Sequence, residues 1–306
     1  MNFPRADRRP PGNAAAGWYL TLLLFWSCLA SGYEPAVHQK LTFHAAKLFN
    51  SCAEQAGALA FTPLQVRYIA NANVALADSN FLVRMFRWSY YDRDAQHERS
   101  ALWLINTRMH GHFNRLVEAF DAADEPEDRY RFLGGIVGYL QLMTSPARVV
   151  PVYTVRFWRW SFSDRFDNYR MDDEALEQAL DDDCGFLQDP PDDFQQLLVE
   201  TADATLQAVR SPIGGLPATW ESFWEISDAP NDFGQYGPAG NSFGRKASFP
   251  CNDPEEGGAA ADAGRCVLLK RDPIYAAFAL ERHAAAVRST ARAMLILQRL
   301  VPETEE

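Results

Sequence analysis

Residue types capable of chemistry gather in two stretches of this 306-residue chain. The first is Tyr33-Glu34-Pro35-Ala36-Val37-His38-Gln39-Lys40-Leu41-Thr42, which offers one imidazole near its start. The second runs from Leu133 to Pro151 and reads Gly134-Gly135-Ile136-Val137-Gly138-Tyr139-Leu140-Gln141-Leu142 before a Thr144-Ser145-Pro146 turn and Arg148. In a helix, positions i and i+4 share a face, so Gly138 and Leu142 point the same way. A His and an Asp at such a pair could grip one metal cluster, but neither stands there. The other imidazoles form no chelating pair. His44 lies six residues after His38 and faces elsewhere, while His110 and His112 are two apart on a predicted helix and diverge. His97 and His283 stand alone and are expected at the surface or satisfied in the core. No Gly-x-Ser-x-Gly nucleophile elbow and no Gly-rich phosphate loop occur. The acidic runs Asp181-Asp182-Asp183 and Asp189-Pro190-Pro191-Asp192-Asp193 lack the alternating ligands and Gly turn of a calcium loop, and read as solvated helix ends and a turn.

Together the two stretches resemble the trinuclear zinc hydrolases, the superfamily of bacterial phospholipase C and the single-strand-specific nucleases. In that family a helix carries His-Tyr-x-x-Asp, followed by a short Pro-containing turn and a second His. Tyr139, Leu140, Gln141, Ser145 and Pro146 match this frame. The ligands do not: Gly138 replaces the first His, Leu142 the bridging Asp, and Arg148 the second His. Glycine, leucine and a guanidinium cannot substitute for two imidazoles and a carboxylate around zinc. The resemblance further implies that Tyr33 takes the place of a mature N-terminal Trp whose amine and carbonyl bind metal, with His38 five residues on. Asp78 then corresponds to the first metal Asp, Ser89 to a further His, and Ser163 and Asp167 to a late His-x-x-x-Glu pair. The remnant ligand candidates are Tyr33, His38, Asp78 and Asp167, with Asp92 or Asp164 as possible supplements, enough for one loosely held ion and not for three zincs.

The elements that must position these residues are helical. Apolar residues at helical spacing predict a helix over Glu34 to Ala56, a second from Thr62-Pro63 to about Leu76, and a third from Arg93 to Phe120. Pro126 opens a run to Met143 that is apolar nearly all round, as befits the centre of a bundle. Phe194 to Val209 and Pro273 to Leu300 supply two more helices. Between them, residues Ser211 to Ala263 are rich in Gly, Pro, Asn and Asp and read as a long irregular excursion. The aromatic run Phe157 to Phe162 is expected to plug the core or a helix junction, with stacking on a ligand as the alternative. No convincing β period occurs. The expected fold class is all-α: one helical bundle domain over residues 33–306, of the phospholipase C and nuclease type, with a long irregular loop before the last helix.

Arg5, Arg8 and Arg9, an apolar run from about Ala14 to Ala30, and Ala30-Ser31-Gly32 read as a cleavable signal peptide over residues 1–32, which implies a periplasmic or secreted protein. No stable membrane span is expected after cleavage. The net charge is −11, and the leader's three Arg and one Asp leave about −13 on its removal, which argues against a broad nucleic-acid surface. Four cysteines remain, enough for two disulfides in any of three pairings. Cys251 and Cys266 flank a Gly/Ala/acidic loop and are expected to clip it, leaving Cys52 for Cys184. The functional expectation is a degenerate relative that binds or scaffolds, with no cofactor unless zinc occupies the remnant site. It would receive a small-molecule, lipid or protein ligand in the former cleft. The alternative is a phosphodiester hydrolase working with a reduced metal site.

Overall fold

A computed structural model describes residues 33–77, 91, 109–152, 163–180, 184–187, 191–227, 234–251 and 264–300. Among them are eight α-helices: α1 (Pro35–Cys52), α2 (Pro63–Ala77), α3 (Met109–Asp121), α4 (Pro126–Leu142), α5 (Pro146–Val149), α6 (Asp173–Leu180), α7 (Phe194–Arg210) and α8 (Pro273–Leu300). Five of these begin on proline, whose fixed φ suits the first turn and whose missing N–H costs nothing there. Side-chain caps mark other starts. Thr62 and Gln65 exchange backbone and side-chain hydrogen bonds ahead of α2. Asp193 accepts from the Gln196 amide at 2.7 Å at the head of α7.

Helix α4 is the axis of the bundle. Every residue from Leu133 to Leu142 is buried, as its all-round apolar character predicts. Its most extensive packing is against α2, and glycine makes this possible. A Cβ on Gly134 would stand 2.4 Å from the Ile69 carbonyl oxygen, and one on Gly138 would stand 2.7 Å from Leu76 Cδ2. Helix α8 closes the other side of α4, packing on α1 and α7 as well. The third helix is described from Met109 onward, so the expected stretch 93–108 lies outside the described residues.

The expectation of an all-helical chain needs correction at one place. The excursion after α7 is not wholly irregular: it holds two antiparallel hairpins, β1 (Trp224–Glu225) with β2 (Gln235–Tyr236), and β3 (Ala247–Pro250) with β4 (Arg265–Leu268). In β3 and β4 alternate residues are buried, and Ala247 pairs with Leu268. Rings from this region lock it to α8. Trp220 lies 4.2 Å from Phe278, and Phe243 lies 4.8 Å from Tyr275, between ring centroids.

Both expected disulfides are present. Cys52 joins Cys184 across 132 residues, and Cys251 joins Cys266 across the β3–β4 connection. The first ties the end of α1 to the short 3-10 turn over Gly185–Leu187. Among the described residues no helix is long and apolar enough to cross a membrane. The proposed leader and the aromatic run Phe157 to Phe162 lie outside the described residues.

Candidate functional site

Helix α1 presents His38 inward, helix α2 presents Asn73, and the last turn of α4 presents Gln141; all three are buried. His38 Nδ1 donates to Gln141 Oε1 at 2.6 Å, and Asn73 Nδ2 donates to the same oxygen at 2.9 Å and to Thr42 Oγ1 at 2.9 Å. Gln141 Nε2 donates to Thr42 Oγ1 and Thr290 Oγ1 at 3.2 and 3.3 Å. One amide thus cross-links α1, α2, α4 and α8. The tautomer that donates from Nδ1 leaves Nε2 with a lone pair, the form in which imidazole binds metals. Burial holds the ring neutral and lowers its pKa to about 4, opposed by the Gln141 hydrogen bond and assisted by the nearby Arg148 charge.

Gly138 sits directly above this network. A side chain there would meet Leu76 and, at 2.9 Å, Asn73 Oδ1. Position 138 therefore offers no ligand atom and has no room for a larger side chain without displacement of Leu76 and Asn73.

A second group lies beyond the α4–α5 turn. Ser145 Oγ donates to Asp167 Oδ1 at 2.6 Å, and Arg148 Nη2 stands 3.7 Å from Asp167 Oδ2. Asp164 Oδ2 accepts from Trp224 Nε1 at 2.9 Å and from the Tyr236 hydroxyl at 3.0 Å, while Asp164 Oδ1 caps the Phe166 amide at 2.8 Å. Both carboxyls are only 2% exposed. Burial lifts the Asp167 carboxyl to about 7, because at 3.7 Å the attraction of Arg148 does not outweigh desolvation, and the neighbouring Asp164 charge adds to the rise. Burial raises Asp164 too, against its three hydrogen bonds and Arg148. Arg148 lowers the pKa of both buried carboxyls, but burial outweighs it at each. Burial and the Asp164 charge also push the Tyr236 hydroxyl up, so it remains a donor.

Tyr33 joins the two groups. It is fully buried, its hydroxyl is 3.2 Å from Thr144 Oγ1, and its ring lies 5.8 Å from His38 and 5.9 Å from Phe166. His283, expected to be a surface or satisfied core residue, is neither. It is 1% exposed, its ring lies 5.5 Å from Tyr33, and its Nε2 has no hydrogen-bond partner among the described residues. Burial lowers its pKa to about 4, with Asp173 acting slightly in the other direction.

Six positions singled out by sequence thus fall together: Tyr33, His38, Gly138, Leu142, Arg148 and Asp167. Ser163 is half-buried and accepts from Asn168 Nδ2 at 3.0 Å, a local role. Asp78, Ser89 and Asp92 lie outside the described residues. The partners supplied by Asn73, Thr42, Thr290, Trp224 and Tyr236 were not foreseen. For Asn73 and Gln141 a signal existed, a carboxamide on an otherwise apolar helix face. For Trp224 and Tyr236 there was none, since they sit in strands of two residues.

Among the described residues no three His, Cys, Asp or Glu side chains are placed to share a metal ion. Gly138 and Leu142 offer no donor atom, and the Arg148 guanidinium stands beside Asp167. Comparison with protein-family models, with curated proteins and with solved structures finds no match to the chain.

Proposed function

We propose that the chain is an exported relative of the phospholipase C and single-strand nuclease superfamily whose metal centre has become part of the hydrophobic core. It acts by binding or scaffolding and not by hydrolysis. The observation that carries this reading is the fate of the three replaced ligand positions. Gly138 is consumed in close packing against Asn73 and Leu76, Leu142 is buried, and Arg148 approaches Asp167. Hydrolysis in the family depends on metal-bound hydroxide and on cations that neutralise charge developing at phosphorus. A guanidinium paired with a buried carboxyl supplies neither. A small-molecule, lipid or protein ligand approaching the former cleft would meet Arg148 and Tyr236 first, since these are the members of the group that retain solvent exposure.

The test is zinc analysis of the purified protein together with turnover assays on a phosphodiester and on phosphatidylcholine. The expected result is no turnover above background, with or without added zinc. Turnover that chelation abolishes would overturn the proposal.

A second reading, a phosphodiester hydrolase with a reduced metal site, draws on the neutral Nδ1–H tautomer of His38, whose Nε2 could ligate an ion. Its ligands would be Tyr33, His38, Asp78 and Asp167. It requires that His38→Ala abolish activity, and activity surviving that change excludes it.

A further inference from the structure

The outward face of the β3–β4 hairpin has a composition at odds with the rest of the chain. The alternation that buries Ala247, Phe249, Cys266 and Leu268 turns Val267 and Leu269 to solvent, 45% and 61% exposed. Continuing the register places Lys246 opposite Leu269, and Lys270, Arg245 and Arg271 follow at the same end of the hairpin, all exposed. The strands stay adjacent past their last pair, because the Arg271 amide donates to the Gly244 carbonyl at 3.3 Å, so these cations cluster at one end of the hairpin. No ion pair among the described residues engages any of the four. Their acidic neighbour Asp272 is half-buried and accepts from the backbone amides of Leu269 and Ile274.

The chain holds 40 acidic and 29 basic residues, so four exposed cations at the hairpin end that carries Val267 and Leu269 are not what its average composition would place there. Like charges held together repel, and exposed Val and Leu gain nothing from water. Both costs vanish against one kind of surface. An anionic bilayer attracts the cations and takes the aliphatic tips into its headgroup boundary. A nucleic-acid strand would satisfy the charges but would ask for aromatic stacking in place of Val267 and Leu269. The Cys251–Cys266 disulfide holds the two strands in this presentation.

We infer that the Lys246–Leu269 end of the β3–β4 hairpin is a peripheral docking surface for an anionic lipid bilayer. This does not rest on the fate of the metal site, so it stands or falls independently of the proposal above.

The experiment is sedimentation of the full chain with vesicles of pure phosphatidylcholine and of phosphatidylcholine with about 30 mol % phosphatidylserine, at low salt and at about 0.15 M salt. Binding is expected to the anionic vesicles only, and to weaken as salt rises. Each cation near such a surface is worth about fivefold in partitioning, so the K246A/K270A pair should lose about 25-fold. Leu269→Ser should weaken binding several-fold. Circular dichroism melts of both variants should match the parent, since all three side chains are exposed. Equal binding to both vesicle types, or none to either, overturns the inference, as does an unchanged affinity in K246A/K270A. Binding that Leu269→Ser leaves intact while soluble heparin competes it away also overturns it, in favour of a soluble polyanion.

Discussion

Gln141 is the residue on which the buried polar centre depends. Its amide accepts from His38 and Asn73 and donates to Thr42 and Thr290, so Gln141→Leu would remove a hydrogen-bond partner of His38 Nδ1 and of Thr290 Oγ1, while Asn73 and Thr42 would keep their bonds to each other and to the His38 carbonyl. An unsatisfied buried polar group costs roughly 1–3 kcal/mol, and we expect a loss of about 3 kcal/mol or more in urea denaturation. Asp167 should mark the protein's pH response. Its folded pKa of about 7 lies above its ordinary value, so its contribution to stability is complete below about pH 4 and is lost as pH rises through about 7. His38 and His283 act in the opposite sense. Their folded pKa values of about 4 lie below the ordinary value, so their contribution is complete above about pH 6.5 and is lost as pH falls toward 4. The two effects oppose each other between about pH 4 and 7. Denaturation of the parent and of Asp167→Asn across this range separates them: stability of the parent relative to the variant should fall as pH rises from 5 to 8. A pH-independent difference would mean that Asp167 is ionised throughout. His38 was recognisable in sequence by its place after Tyr33, but His283 was not, because the neighbours that trap it come from segments 250 and 117 residues away.

At the scale of elements, the α2–α4 contact is set by glycine. Gly134→Ala would drive a methyl into the Ile69 carbonyl, backbone that cannot swing aside, and should cost about 2–3 kcal/mol in thermal or urea unfolding. Gly138→His, which introduces the residue type that the zinc hydrolases would carry there under the proposed kinship, should destabilise at least as much and recruit no metal, since Leu76 and Asn73 fill the space. Helix starts were legible because proline and the Thr62-x-x-Gln65 and Asp193-x-x-Gln196 caps are local signals. The central position of α4 followed from its apolar circumference. The hairpins were illegible for the converse reason. Strands of two to four residues carry too little periodicity to stand out, and they form because Trp224, Tyr236 and Phe249 find partners far along the chain. Trp224 and Tyr236 reach back 60 and 72 residues to Asp164, a separation that no local pattern announces.

At the scale of the whole molecule, the Cys52–Cys184 bridge joins the end of α1 to the turn before Gly185–Leu187 across 132 residues of chain. Closing so long a loop restricts the unfolded ensemble, so replacing both cysteines with Ala should lower stability by about 4 kcal/mol, read from denaturant midpoints under oxidising conditions. The pairing itself could be anticipated, because a loop-flanking pair leaves one other choice. The candidate site was legible as a set of positions but not as a chemistry. Sequence named Tyr33, His38, Gly138, Arg148 and Asp167, whereas the amide network and the buried acid pair that now tie them together depend on distances only folding creates. This centre is a buried, hydrogen-bonded polar core in which, among the described residues, no three ligand side chains are placed to share a metal ion. Elemental analysis of the purified chain, after equilibration with zinc and removal of excess by dialysis, measures this most directly. We expect well under one zinc per chain; two or three zinc ions retained per chain would contradict the account at its root.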